Sequence, residues 1–254
     1  MVKSGQISQE KQTVMEVQFA VAKVSKYASS ESGDTLEMIE RPNGGLSLVL
    51  VDGQRSGKSA KAISNMVARK AIQLLAEGVR DGAAARAAHD YLYTHRRGKV
   101  SATLNILSID TVTKTFVISR NNDAPVIVHT AENGLYLLDE PSERVGFHRL
   151  TKPVITEIPI TLGTIIVVFT DGLRHAGSLH GDGHYEPETA VARMLSSHIC
   201  DAQTIANTLL KEAVAKDNGR PRDDISVVVV SVNKNVDEGD IRWLNGRIAM
   251  GYGK

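Results

Sequence analysis

Cysteine is nearly absent from this chain, with one residue, Cys200, in 254. A single thiol excludes an intrachain disulfide framework and fits a reducing compartment. Cys200 itself reads as a small apolar residue beside a helix, not as a nucleophile. Long apolar runs are missing as well. No stretch approaches the roughly 20 residues needed to cross a bilayer, and Met1-Val2-Lys3-Ser4-Gly5-Gln6 carries no signal-peptide core. The expected location is therefore the cytoplasm, with no membrane partner. Neither sign of charge is in excess, since 30 Lys and Arg stand against 29 acids for a net +1. That balance removes the basic face a nucleic-acid partner would require. The chain shows no internal repeat and no low-complexity tract. Its 42% apolar and 23% charged content are ordinary for a globular protein, and the length allows one substantial core.

What is present is a recurring design. Ile165-Ile166-Val167-Val168-Phe169 has the β-branched composition of a buried strand and runs into Thr170-Asp171-Gly172. The same pattern occurs earlier as Leu46-Ser47-Leu48-Val49-Leu50-Val51-Asp52-Gly53. It is mirrored near the end, where Asp223-Asp224 leads into Ile225-Ser226-Val227-Val228-Val229-Val230. A sheet fixes the direction of a carboxylate at its strand end, while the loop beyond leaves room for a ligand. Glycine after the acid permits close approach of a ligand or a neighbouring backbone.

The rest of the chain divides by period. Alternation over 14–24 and an apolar run over 36–39 predict strands, with Pro42-Asn43-Gly44-Gly45 as a hairpin turn before the strand ending at Asp52. Beyond it, Ala60, Ile63, Val67, Ala71 and Leu74-Leu75 repeat at helical spacing, and a second helix covers Ala83 to Leu92. The run His95-Arg96-Arg97-Gly98 reads as a helix end complementing the dipole. Strands are predicted over 102–109, 115–119, 125–129, 135–138, 154–158, 165–169 and 225–232, with helices over 187–199 and 202–216. Turn residues at close spacing imply antiparallel meanders, not βαβ crossovers. Residues 174–186, with Gly177, Gly181 and Gly183 among scattered histidines, read as a mobile loop.

Together these predict an α+β fold, a two-sheet antiparallel β-sandwich flanked by helix pairs in α-β-β-α layers. The expected domain spans 14–232, with a frayed N-terminus over 1–13 and a tail over 233–254. The tail is either loosely held or a docking segment around Trp243-Leu244.

Strand-end aspartates with no paired histidine or cysteine suit a hard divalent cation, Mg²⁺ or Mn²⁺, bound through oxygen. Two such ions roughly 3.5–4 Å apart can bridge a water and generate a hydroxide for in-line attack on phosphorus. Other chemistries fit less well. His175, His180 and His184 lack helical spacing and an accompanying cysteine, and read as loop histidines, not a zinc cluster. Gly57-Lys58-Ser59 lacks the upstream glycine of a nucleotide-binding loop, because position 52 is Asp. No strand ends in the Asp-x-Asp of a haloacid-dehalogenase nucleophile.

In order and spacing, Asp52-Gly53, Phe169-Thr170-Asp171-Gly172 and Asp223-Asp224-Ile225-Ser226 resemble the metal-dependent type 2C serine/threonine protein phosphatases. The likeness is strongest to the bacterial branch of sporulation stage II and stress-response phosphatases, whose early Gly-Asp is matched by Gly33-Asp34. This resemblance implies a helix-flanked sandwich with two Mn²⁺ or Mg²⁺ ions in a cleft between the sheet ends. It implies Asp52 bridging both ions, the Gly53 carbonyl on one of them, and Asp171 and Asp223 on the ion shared with Asp52. Asp34 would contribute on the other side. Asp224 would either orient Asp223 or cap the turn. Arg55 either reaches a phosphate as a bidentate clamp or is a solvated loop residue.

The chain departs from the branch at Asn121-Asn122-Asp123-Ala124, where relatives have Asn-Ala-Gly-His, and at Arg174-His175, where an acid is common. The implied function is hydrolysis of phosphoserine or phosphothreonine on a regulatory protein, such as an anti-sigma-factor antagonist. With no sensor domain expected ahead of the catalytic region, regulation is expected to come from partners or expression. The alternative from another class is a catalytically weak phosphoprotein-binding module that uses helix 59–75 as its interaction element.

Overall fold

The structure, a computed structural model, describes residues 15–178, 183–235 and 246. The element order is β1 (Met15–Val24), β2 (Asp34–Glu40), β3 (Leu46–Gly53), α1 (Gly57–Ala76), α2 (Asp81–Arg96), β4 (Ala102–Asp110), β5 (Thr115–Asn121), β6 (Val126–Thr130), β7 (Gly134–Leu138), β8 (Val154–Pro159), β9 (Ile165–Phe169), α3 (Gly172–His175), α4 (Pro187–Ser196), α5 (Ala202–Lys216) and β10 (Ile225–Lys234). Two five-stranded antiparallel sheets face each other, one ordered β2-β3-β4-β5-β8 and the other β1-β10-β9-β6-β7. This is the predicted α-β-β-α sandwich.

The period-2 geometry of strands assigns each side chain to a layer. Val49 and Val51 of β3 point outward and pack with Val67, Ala71 and Leu75 of α1 and Ala88 and Leu92 of α2. Leu48 and Leu50 point inward and meet Leu107, Phe116, Val228 and Val230 between the sheets. On the opposite outer face, Val227, Val229 and Phe169 pack beneath Val191, Met194, Ile205 and Leu209 of α4 and α5. Both faces of the central strands are therefore covered, which is why they read as continuous apolar runs. The same alternation has a consequence at the strand ends. Asp52 continues the inward face of Leu48 and Leu50, and Ser226 continues that of Val228 and Val230. The inter-sheet layer thus turns from apolar to polar at one end.

Several expectations change. The predicted antiparallel meander holds for β2-β3-β4-β5 and the β6-β7 hairpin, but the chain also changes sheets between β1 and β2, β5 and β6, β7 and β8, and β8 and β9, and β1 pairs with β10. Sequence spacing reports antiparallel turns but not which sheet a strand joins. The described part of the 174–186 segment is also more ordered than a mobile loop. It opens with α3, and the buried Tyr185 donates its backbone N–H to the Ala176 carbonyl at 3.0 Å and its hydroxyl to Glu212 at 2.8 Å. The helix predicted over 187–199 stops at Ser196, with His198 in the left-handed region at φ 59°. The 95–98 run does end a helix, with Arg97 left-handed at φ 53°. Strand β10 extends to Lys234. The predicted frayed N-terminus, Trp243 and Leu244, and nearly all of the tail fall outside the described residues.

Gly53 shows how tightly α1 sits on the sheet, since a Cβ there would lie 2.1 Å from the Ala60 carbonyl oxygen. Gly53→Ala should therefore cost about 1–3 kcal/mol through overpacking, read as a lowered midpoint in thermal unfolding. An unchanged midpoint would contradict this packing.

Candidate metal centre

The site is assembled from four separate stretches. Asp34 opens β2 and lies directly opposite Asp52 in the antiparallel β2–β3 register. Asp171 follows β9 and begins α3, and Asp223 precedes β10. The second Asp-Gly glycine explains how the last two meet. A Cβ on Gly172 would sit 2.2 Å from the Asp224 carbonyl oxygen and 3.2 Å from Asp223 Cβ. Only glycine lets the β9–α3 corner close onto the start of β10 in this way.

Asp34 is fully buried and spans the two sheets. Its Oδ2 accepts hydrogen bonds from the Ser226 hydroxyl at 2.6 Å and the Thr170 hydroxyl at 3.0 Å. Its Oδ1 has no partner, which a buried carboxylate oxygen rarely lacks. Its backbone carbonyl accepts from Lys23 Nζ at 2.6 Å and Lys61 Nζ at 2.7 Å, tying the strand to β1 and α1.

Asp224 turns away from the cluster. Its carboxylate accepts from the backbone N–H groups of Lys26 at 2.9 Å and Gly33 at 2.7 Å, fastening the segment before Asp34. Its own N–H donates to Asp223 Oδ1 at 2.9 Å. Asp224 thus holds a loop and orients its neighbour at once.

Electrostatics record the convergence. Burial, followed by the charges of Asp34, Asp171 and Asp223, pushes the Asp52 carboxyl up to about 9, with Arg144 opposing. Burial also raises Asp34, to about 6, against the Ser226 hydrogen bond, Lys23 and the Thr170 hydrogen bond. Asp223 is raised by burial and then by Asp171, against the N–H of Asp224. Two like charges about 4 Å apart near a protein surface repel by roughly 4 kcal/mol. The group is therefore costly to ionise without cations.

The residues fit divalent ions well. They supply hard oxygen donors, an orphaned buried oxygen on Asp34, and a carboxylate that keeps its proton until a positive charge arrives. Asp171, Asp223 and His175 each offer a ligand atom, and these lie within 4.8 Å of one another.

Arg55 sits in the β3–α1 loop, exposed and in the left-handed region at φ 79°. Among the described residues it forms no ion pair with the acids. Arg144 does. Its Nη2 lies 3.4 Å from Asp171 and its Nε 2.8 Å from Asp123. It belongs to the long β7–β8 connection, which Asn122 helps hold by donating its N–H to Ser142 Oγ at 2.9 Å. A cleft of about 770 Å³, lined in part by Asn122, Asp123, Ser142, Arg144 and His148, opens beside it. Asp34, Asp52, Asp171 and Asp223 do not line that cleft, and Arg144 links the two regions.

Sequence reading missed Arg144, whose only signal is its place between strands in a polar loop. It also assigned no role to Thr170 or Ser226, although both lie inside the quoted motifs.

The model for stage II sporulation protein E (SpoIIE) matches residues 42–233. This chain belongs to the SpoIIE family. The stage II sporulation protein E of Bacillus subtilis (strain 168) is 21% identical over 219 residues, covering 86% of this chain and 26% of that protein. The chain thus spans about a quarter of that curated relative. The solved PP2C phosphatase domain and regulatory-domain fragment of SpoIIE from Bacillus subtilis superposes with a TM-score of 0.72 at 18% identity, covering 88% of this chain and 65% of that one. The catalytic domain of the serine/threonine phosphatase PstP, solved with 2 manganese ions, gives 0.62 at 15% identity, covering 87% and 100%. The SpoIIE-family sandwich therefore has the PP2C phosphatase fold. No described helix is long and apolar enough to cross a membrane.

The carboxylate repulsion has a measurable sign. In the metal-free protein Asp52 keeps its proton up to about pH 9 when folded but, when unfolded, only to about pH 4. The native state binds more protons in that window, so stability falls as pH rises through it. Melts in chelator should show the midpoint dropping from about pH 5 to pH 8, and Asp52→Asn should flatten the drop. An equally steep drop in the variant would remove Asp52 from the account.

Proposed function

We propose that this chain is a metal-dependent phosphoprotein phosphatase that hydrolyses phosphoserine and phosphothreonine. The observation that carries the reading is geometric: Asp34 faces Asp52 in the β2–β3 register, and Asp171 and Asp223 offer ligand atoms within 4.8 Å of each other at the neighbouring strand ends. An oxygen-donor set of this kind, on a PP2C fold, supports a pair of Mn²⁺ or Mg²⁺ ions. In this reading Asp52, the Gly53 carbonyl, Asp34, Asp171 and Asp223 would hold the ions between them. When bound, such ions neutralise charge on the phosphoryl oxygens and make a bound water acidic enough to attack.

The chain's own residues set the geometry. Thr170 and Ser226 fix Asp34, Asp224 orients Asp223, and the β2–β3 register sets Asp34 against Asp52. Arg144, paired with Asp171, is the cation this reading assigns to the phosphate, and Arg55 of the β3–α1 loop is a second candidate for the bidentate role. The cleft beside Arg144 offers room for the polypeptide flanking the phosphorylated residue. The substrate in this reading is a phosphorylated regulatory protein in the cytoplasm, such as an anti-sigma-factor antagonist. Support for a regulatory substrate comes from family membership, the relative's SpoIIE domain being that of a cell fate determinant.

Asp52→Ala and Asp171→Ala should each lower Mn²⁺-dependent hydrolysis of p-nitrophenyl phosphate by about a hundredfold or more, while circular dichroism shows the fold retained. Chelation should silence the unmodified protein. Full activity in either variant would refute the assignment, and absence of turnover on any phosphoprotein would favour a binding module.

A further inference from the structure

His175 stands apart from the oxygen donors described so far. It lies at the end of α3, one helical turn after Asp171, and its backbone N–H donates to the Asp171 carbonyl at 3.0 Å. Positions four apart on a helix share a face, so the imidazole and the Asp171 carboxylate are neighbours by construction. Asp223 joins them because Gly172 lets the two backbones touch. The result is one nitrogen and two oxygens with ligand atoms within 4.8 Å of one another. The imidazole is exposed at the mouth of the group, and the ring of His184 stands 6.3 Å away, centroid to centroid.

Imidazole is a poor partner for Mg²⁺, which favours carboxylate, carbonyl and water oxygen, and a good one for Co²⁺, Ni²⁺ and Zn²⁺. We propose that His175 is a nitrogen ligand to the cation held by Asp171 and Asp223, and that it biases this half of the centre toward late first-row divalent ions over Mg²⁺. The inference rests on the metal centre proposed above and specifies which ion one half of it prefers. Any such site binds Co²⁺ more tightly than Mg²⁺, so the informative quantity is how that ratio changes when the imidazole is removed.

The experiment is titration of the full chain with Co²⁺, followed by visible absorption, and with Mg²⁺, followed by calorimetry. It uses the unmodified protein, His175→Ala and Asp171→Asn. His175 is exposed, so alanine should leave the melting midpoint in chelator unchanged. Loss of the imidazole should weaken Co²⁺ at least as much as losing an outer-sphere partner does, about 10–100-fold. It should also alter the d–d bands and leave Mg²⁺ affinity as it was. Identical Co²⁺ spectra and affinity in His175→Ala, with binding lost in Asp171→Asn, would overturn the role of His175 and leave the carboxylate centre standing. Failure of the unmodified protein to bind either ion would overturn both.

Discussion

Gathering carboxylates from separate strand ends into one buried region is the constraint that the rest of this structure serves. Burial, and then the charges of Asp34, Asp171 and Asp223, raise the proton affinity of Asp52, and Arg144 opposes them. A chain gains nothing in stability from such a cluster; it is retained where a cation supplies the missing charge, and perturbed groups of this kind gather at functional sites. Membership of the SpoIIE family and the PP2C fold agree with that account.

Holding like charges together demands rigidity, and the structure provides it from several directions. Covered strands with apolar side chains on both faces deliver Asp52 and Asp223 from opposite sheets. Asp34 ties those sheets together through Ser226 and Thr170. Asp224 fastens the preceding loop, and two lysines close on the Asp34 carbonyl. Both Asp-Gly glycines act by absence. At Gly53 the missing Cβ admits α1, and at Gly172 it admits the start of β10. The close approach of backbone, one of two readings of those glycines, is what they provide.

Most elements were legible in the sequence because buried strands and amphipathic helices carry their period in their own residues. Asp52 and Asp171 were legible because each follows a strong apolar run and Asp223 because it leads into one, whereas Asp34, which opens β2, was legible only through the Gly-Asp of the resemblance. What stayed hidden depends on contacts distant in the chain. Nothing local to β5 or β6 says that the chain changes sheets there. Arg144 lies 27 residues from Asp171 and shares no motif with it. His175 was set aside as a loop histidine because the four-residue turn of α3 is too short to show a period. Asp224, read as one of a pair, faces backbone N–H groups from 191 and 198 residues away.

Anomalous diffraction at the manganese edge from crystals soaked in Mn²⁺ tests the central claim most directly. The account predicts two peaks, both within bonding distance of Asp52, one also touching Asp34 and the other Asp171 and Asp223. Peaks confined to other parts of the surface, or none at saturating Mn²⁺, would contradict it.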